Sequence, residues 1–273
     1  MDSLLSYQTL PLKIKSQLAR ITESWKAHAG ENLVGVYLHG SVALGAFQPA
    51  SGDLDVLVVV KDALTIETKL KIAQDLLEIA QDLLEIDGCP CPVELSAVKL
   101  CDVQPWRTPG NCVFHYSDFW SERIEQRLHD PDFDCYVLDR EFPDADVTSY
   151  IKLILQCGVT LYGPPPKEIF SEISDEDFWQ GISADVENYD FHSYKPRYLA
   201  SNVLILGRIL SFKRERRILS KYEAGMWMAE NVPQSLKYLP ERAMKIWFEG
   251  ETCDLPEDDL EKLRKYLIAE IQK

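Results

Sequence analysis

The chain has 273 residues, 46% of them hydrophobic, enough for one large or two modest domains with a sizeable core. Acidic side chains outnumber basic ones 44 to 29, and the resulting net charge of −15 argues against a partner gripped by its phosphate backbone and favours a cationic small molecule. Apolar runs stay shorter than the roughly eighteen residues of a membrane span, and Met1-Asp2-Ser3 is not a basic lead into a signal segment, so a soluble, cytoplasmic protein without a membrane role is predicted. The seven cysteines are odd in number, sit mostly in apolar surroundings and lack paired metal-site spacing, and they read as reduced, buried thiols. The close pair in Cys89-Pro90-Cys91 reads as strand packing.

In chain order, apolar positions at helical spacing over residues 11–29, with Pro11 suited to a first turn, predict a helix. Leu33 to Leu38 and Leu54 to Val60 are nearly continuous apolar runs, as expected of strands covered on both faces. The first run stops at His39-Gly40-Ser41, and Gly52-Asp53-Leu54-Asp55 opens the second. Residues two apart on a strand project from one face, which sets Asp53 and Asp55 side by side as hard oxygen ligands. Two adjacent carboxylates repel, and a divalent cation relieves them, most commonly Mg²⁺ together with nucleotide phosphates. Gly40 lets backbone come close to a ligand, and Ser41 can cap a short helix whose free N–H groups attract phosphate. Either half alone is also what a plain turn, or a plain strand start, looks like. Both halves at this spacing resemble the DNA polymerase β-type nucleotidyltransferase superfamily, whose pattern is Gly-Ser, a spacer, then Asp-x-Asp.

Residues 66–86 form a long amphipathic pattern containing a tandem duplication, Ile72 to Glu78 repeated at Ile79 to Glu85, which preserves a heptad face. Asp87-Gly88 ends it, and residues 92–98 read as a third strand. Glu94 is a lone acid in that apolar strand, and an unpaired buried carboxylate costs several kcal/mol unless something compensates it. In the superfamily a third carboxylate on a neighbouring strand faces the Asp pair, where it ligates metal or takes the proton of the attacking hydroxyl.

Further along, Pro105-Trp106-Arg107, Phe114-His115-Tyr116-Ser117-Asp118-Phe119-Trp120, Gly158 to Pro164 and Asn202 to Arg208 resemble the bacterial streptomycin/spectinomycin (aminoglycoside 3''/9-) adenylyltransferases. The similarity runs from about residue 33 to about 250. It implies an α+β fold with an N-terminal polymerase β-like nucleotidyltransferase domain, a mixed sheet with flanking helices, over residues 1–160. A C-terminal all-helical bundle domain follows over 161–273, with the active site in the cleft between the two. The chain supports the division: Gly163-Pro164-Pro165-Pro166 interrupts it, and helical patterning dominates afterwards, in segments beginning near Ser174, Pro196, Ser220, Ser235 and Pro256.

By position, Arg208 and Lys221 match the family's basic residues on the nucleotide phosphates, and Trp120 matches a tryptophan that packs against the antibiotic. The family's tryptophan and aspartates before the Asn-Val-Leu helix are replaced here by Tyr194 to Ser201, and the acids Asp185, Glu187 and Asp190 lie further back: either the loop is repositioned so that they meet the acceptor, or the acceptor differs. The usual Ser of Ser-Asp-x-Asp is displaced to Ser51, and Gly52 can still donate a backbone N–H to phosphate. The resemblance implies ATP bound over Gly40 and Ser41, Mg²⁺ held by Asp53 and Asp55 with Glu94 beside them, and transfer of AMP to a hydroxyl by a monomeric enzyme. Three alternatives stay open: another small-molecule acceptor, a protein target, or a catalytically silent nucleotide-binding relative.

Overall fold

The computed structural model describes residues 4–49, 52–82, 91–184, 186–189, 191 and 195–273. It divides into two compact units, one over Leu4–Ser174 and one over Asp175–Lys273. In the first unit, helix α1 (Leu12–Ala29) leads into strand β1 (Leu33–Leu38), one-turn helix α2 (Gly40–Ala43) and strand β2 (Leu54–Val60). Helix α3 (Ile66–Asp82) precedes β3 (Val93–Lys99), the short α4 (Leu100–Val103) and β4 (Gly110–Tyr116). Helices α5 (Ser121–His129) and α6 (Tyr136–Asp139), strand β5 (Phe142–Asp144), α7 (Asp146–Cys157), β6 (Val159–Tyr162) and α8 (Pro166–Ile169) complete it.

The six strands form one mixed sheet in the order β5-β4-β3-β2-β1-β6. Only β2 and β3 run parallel; the other neighbours are antiparallel. Parallel neighbours require a crossover, and α3 supplies it. Leu54 and Val56 to Val60 are fully buried, which is why β2 reads as an unbroken apolar run instead of an alternation. From α1, Ile14, Leu18, Ile21 and Trp25 form one buried stripe, and the Trp25 ring meets Phe114 of β4 edge-on at 5.4 Å.

Two polar side chains fasten these helices from inside. Gln17 of α1 donates to the Cys91 carbonyl at 2.8 Å and accepts the Cys91 N–H at 3.0 Å, so one amide pairs with backbone as a strand would. Lys69 of α3 is buried and donates to the Leu138 carbonyl at 2.9 Å. The apolar face of α3 continues through Ile72, Leu76 and Ile79, across the start of the duplicated heptad. The end of that duplication, the Asp87-Gly88 stop and Cys89-Pro90 lie outside the described residues.

The first unit extends past the proline run at which the sequence places the boundary, and the division falls between Ser174 and Asp175. The intervening segment is stitched back to the sheet. Tyr37 of β1 donates to the Pro164 carbonyl at 2.9 Å, its ring meets Phe170 at 5.0 Å, and Lys152 of α7 donates to the Ile173 carbonyl at 2.6 Å. Among the described cysteines, Cys91, Cys112 and Cys135 are buried thiols as expected, Cys157 and Cys253 are half-buried, and Cys101 is exposed on α4, against the expectation of burial.

The second unit is helical: α9 (Asp175–Ser183), α10 (Pro196–Glu215), α11 (Lys221–Asn231), α12 (Tyr238–Met244) and α13 (Glu257–Gln272). Helix α10 is apolar almost all round, from Leu199 to Phe212, because it packs against α9, α11, α12 and α13 and has little face left for solvent. Ser220 caps α11, its hydroxyl accepting the Glu223 N–H while Glu223 accepts the Ser220 N–H, as the Ser-x-x-Glu spacing predicts. Residues 235–249 are not the one helix expected. A 3₁₀ turn (Gln234–Leu236) precedes α12, and a π turn (Lys245–Glu249) follows it. Pro240 has no N–H to give an α-helix running through from Ser235, so the helix restarts with Pro240 in its first turn. No helix among the described residues is long and apolar enough to cross a membrane.

Candidate active site

Strand register builds the centre of the site. Asp55 of β2 stands directly beside Glu94 of β3, and Asp53, two residues earlier, shares its face. Ligand oxygens of Asp53, Asp55 and Glu94 all lie within 4.8 Å of one another, with Asp53 exposed and the other two half-buried. Three hard carboxylate oxygens at this spacing fit a Mg²⁺-type ion.

The Gly-Ser turn closes over the same point. Gly40 has φ of +62°, and a β-carbon on it would lie 1.7 Å from Asp55 Oδ2. The residue before it, His39, donates its N–H to the Asp55 carbonyl at 2.9 Å. Sequence expectation needs two corrections here. Ser41 does not cap the short helix: His39 occupies that position, and Ser41 lies one turn-step inside it. The Ser41 hydroxyl is instead buried without a protein partner among the described residues, an orphan acceptor and donor of the kind a phosphate oxygen satisfies. Gly52 does not offer its N–H to a ligand, since it donates to the Gln48 carbonyl at 2.6 Å, and its backbone lies against the Phe47 ring where a β-carbon would come within 2.8 Å.

Burial raises the Glu94 carboxyl above its ordinary range, and the charges of Asp53, Asp146 and Asp144 push the same way, while a hydrogen bond from Tyr150 opposes them. That bond is 2.9 Å, from the Tyr150 phenol to Glu94 Oε1. The Tyr150 ring stacks on His39, with centroids 4.6 Å apart and planes at 28°. Burial holds the His39 imidazole neutral by lowering its pKa to about 3, and raises the Tyr150 phenol well above its usual value. Asp118, in the turn after β4, is raised by burial and by the Asp53 charge. The acidic surround of Asp118, Asp144 and Asp146, and the pair Tyr150 and His39, are not read from the sequence. One signal was present: Asp144-Ala145-Asp146 before Val147 repeats the Asp-x-Asp-before-apolar pattern.

Trp120, two residues beyond Asp118, precedes α5 as its cap residue. It is half-buried in a run of rings, edge-on to the exposed Phe119 at 5.4 Å and stacked toward Tyr136 at 6.4 Å, with the Arg123 guanidinium 5.8 Å from its centroid. In the helical unit, Arg208 of α10 donates from Nε to the Leu219 carbonyl at 2.8 Å, two residues before Lys221. Lys221 begins α11, and its ammonium lies 3.8 Å from the centre of the Trp247 ring, which also carries the Arg197 guanidinium at 5.1 Å. The structure thus gathers Arg208 and Lys221 at one end of α11, and adds Arg197 to them. Glu187, in a 3₁₀ turn (Val186–Asn188), accepts from Gln272 Nε2 at 2.7 Å near the end of α13. Asp185 and Asp190 lie outside the described residues.

Similarity to known proteins runs along the whole chain. A model of the "Nucleotidyltransferase domain" matches residues 18–94, and one of the "Aminoglycoside adenylyltransferase, C-terminal domain" matches residues 168–270. An aminoglycoside (3'') (9) adenylyltransferase from Klebsiella pneumoniae is 23% identical over 265 residues, covering 96% of both chains. A spectinomycin 9-adenylyltransferase from Staphylococcus aureus is 25% identical over 254 residues, covering 89% of this chain and 87% of that one. The fold matches the crystal structure of the Enterococcus spectinomycin adenyltransferase AAD(9), solved with ATP and spectinomycin, with a TM-score of 0.80 at 22% identity over 95% of this chain and 99% of that one. The chain thus joins a nucleotidyltransferase domain, which carries the acidic site, to the C-terminal domain of the aminoglycoside adenylyltransferases, and it is similar to those enzymes over nearly its whole length.

Proposed function

We propose that this protein transfers AMP from ATP to a hydroxyl of an aminoglycoside-type antibiotic, streptomycin or spectinomycin, and releases pyrophosphate. The observation that carries the reading is the convergence of Asp53, Asp55 and Glu94 within 4.8 Å, beneath a Gly40 that has no room for a side chain. Asp53 and Asp55, with Glu94 beside them, would hold Mg²⁺, which when bound neutralises phosphate charge and orients the triphosphate. The Ser41 hydroxyl binds a phosphate oxygen, and Arg208 and Lys221, gathered at one end of α11, are the helical unit's cations of the kind that holds phosphate. Glu94 accepts the proton of the acceptor hydroxyl, and burial raises its affinity for that proton toward what a base working near neutral pH needs. The hydroxyl oxygen bonds to the α-phosphorus as the bond to the bridging oxygen breaks, and pyrophosphate takes the departing electron pair. Trp120 gives the acceptor a flat face, and Asp118, Asp144 and Asp146 give its ammonium groups counter-charges. The enzyme acts as a cytoplasmic monomer.

The test is pyrophosphate release from ATP and Mg²⁺ across streptomycin, spectinomycin and aminoglycosides of the kanamycin and gentamicin types. Release with streptomycin or spectinomycin, abolished by Asp53→Asn and by Asp55→Asn, is the expected result. Tight ATP binding with no release across the panel would remove the antibiotic as acceptor.

A further inference from the structure

Tyr150 lies outside the groups assigned above to ion, nucleotide and acceptor, yet it is the one side chain hydrogen-bonded to Glu94 among the described contacts. It comes from the second turn of α7, 56 positions along the chain from Glu94, and donates to Oε1 at 2.9 Å. Its ring is held in turn. It stacks on His39, a residue 3% exposed whose own N–H is fixed on the Asp55 carbonyl. Since Asp55 and Glu94 are register neighbours, the contacts close a ring: Asp55 to His39, His39 to Tyr150, Tyr150 to Glu94, and Glu94 back across the ladder to Asp55.

This ring acts on a specific freedom. The terminal torsion of a glutamate is broad and roughly two-fold, so an unrestrained carboxylate presents either oxygen at any tilt. A donor on one oxygen, carried by a ring that cannot swing, removes that freedom. A phenol suits the task because it is neutral and gives a proton without adding a charge to the cluster.

We infer that Tyr150 is a positioning residue for the transfer step: it engages Glu94 Oε1, so that Oε2 is the oxygen presented to the acceptor hydroxyl, and the His39 stack holds Tyr150 in place. The inference rests on the role proposed above for Glu94. Tyr150 itself touches neither nucleotide nor acceptor in this scheme. It should therefore affect the chemical step and leave nucleotide binding alone.

Tyr150→Phe removes one oxygen and keeps the ring. With spectinomycin or streptomycin, kcat for pyrophosphate release should fall about 10- to 100-fold, the loss expected for one hydrogen bond to a charged group. The KM for ATP should stay within about twofold, since only a transition-state interaction is removed. His39→Leu, which frees the ring without touching the phenol, should lower kcat in the same direction. A crystal structure of Tyr150→Phe, which needs no acceptor, should show the Glu94 carboxylate turned or in more than one orientation. Wild-type kcat in Tyr150→Phe, an unmoved Glu94 carboxylate, or a kcat loss that merely follows a lower melting temperature or weaker ATP binding would overturn the inference. Full turnover in Glu94→Gln would instead remove the base that Tyr150 is said to position. An inactive Glu94→Gln beside a normal Tyr150→Phe would reject Tyr150 alone.

Discussion

Gly40 marks the point of closest approach between the two halves of the nucleotidyltransferase motif. At φ of +62° its backbone sits where an added β-carbon would meet Asp55 Oδ2 at 1.7 Å, so the glycine is demanded by space as well as by conformation. Gly40→Ala should therefore displace the Asp55 carboxylate and reduce kcat/KM by roughly 100-fold, in the range of a misplacement of about 1 Å at a catalytic group. A circular-dichroism spectrum and melting temperature near wild type would show the loss to be local, and wild-type kcat/KM would show that Asp55 need not stay where it is. Asp53, Asp55 and Glu94 were legible in the sequence because each is an acid abutting or interrupting an apolar strand, a placement that solvation alone does not explain. Tyr150 was not, since an aromatic residue on an amphipathic helix has the same pattern whether it fills a core or aims a carboxylate, and neither was His39, whose ring partner lies far away in the chain. Ser41, expected to cap the short helix, lies instead at its second position, since sequence does not fix where a one-turn helix begins.

Strands β1 and β2 begin and end where their apolar runs do, because burial on both faces leaves Asp55 as the one charged residue in either strand. Helix α12 was less legible, since a periodic pattern survives a break in hydrogen bonding that Pro240 imposes. The attachment of α1 to the start of β3 is carried by a single amide, Gln17, which satisfies both backbone groups of Cys91. Gln17→Leu keeps the volume and orphans two buried backbone groups, and should cost about 1–3 kcal/mol in a urea-unfolding measurement. A cost near zero would mean that water replaces the amide. Glu94 lies three residues beyond Cys91, so this clip fixes the strand that carries it, and the same variant should lose activity beyond what its stability explains.

For the whole molecule, part of the net charge of −15 comes from Asp53, Glu94, Asp118, Asp144 and Asp146, whose charges act on one another at the end of the sheet strands that carry the site. A polycationic acceptor drawn by that field is screened as salt rises, with a Debye length near 10 Å at about 0.1 M. The KM for streptomycin should accordingly rise several-fold between about 0.02 M and about 0.2 M NaCl while kcat changes little. An unchanged KM would assign acceptor binding to ring stacking at Trp120 instead. The two-unit organisation was legible from the change in periodicity along the chain. The exact division was not, because the contacts of Tyr37 and Lys152 that hold residues 163–174 to the sheet come from side chains far away in sequence. The doubled segment in α3 bears on how such a chain changes length over generations. Seven residues make two turns to within about 20°, so a slipped copy of one heptad lengthens the helix while its buried stripe keeps its direction, toward α1, α5 and α6. The register of Asp55 against Glu94 is set by the β2–β3 ladder itself and not by the length of α3. A change in length by whole heptads at this connection keeps the direction of the helix's apolar face, which a change by any smaller number of residues would turn.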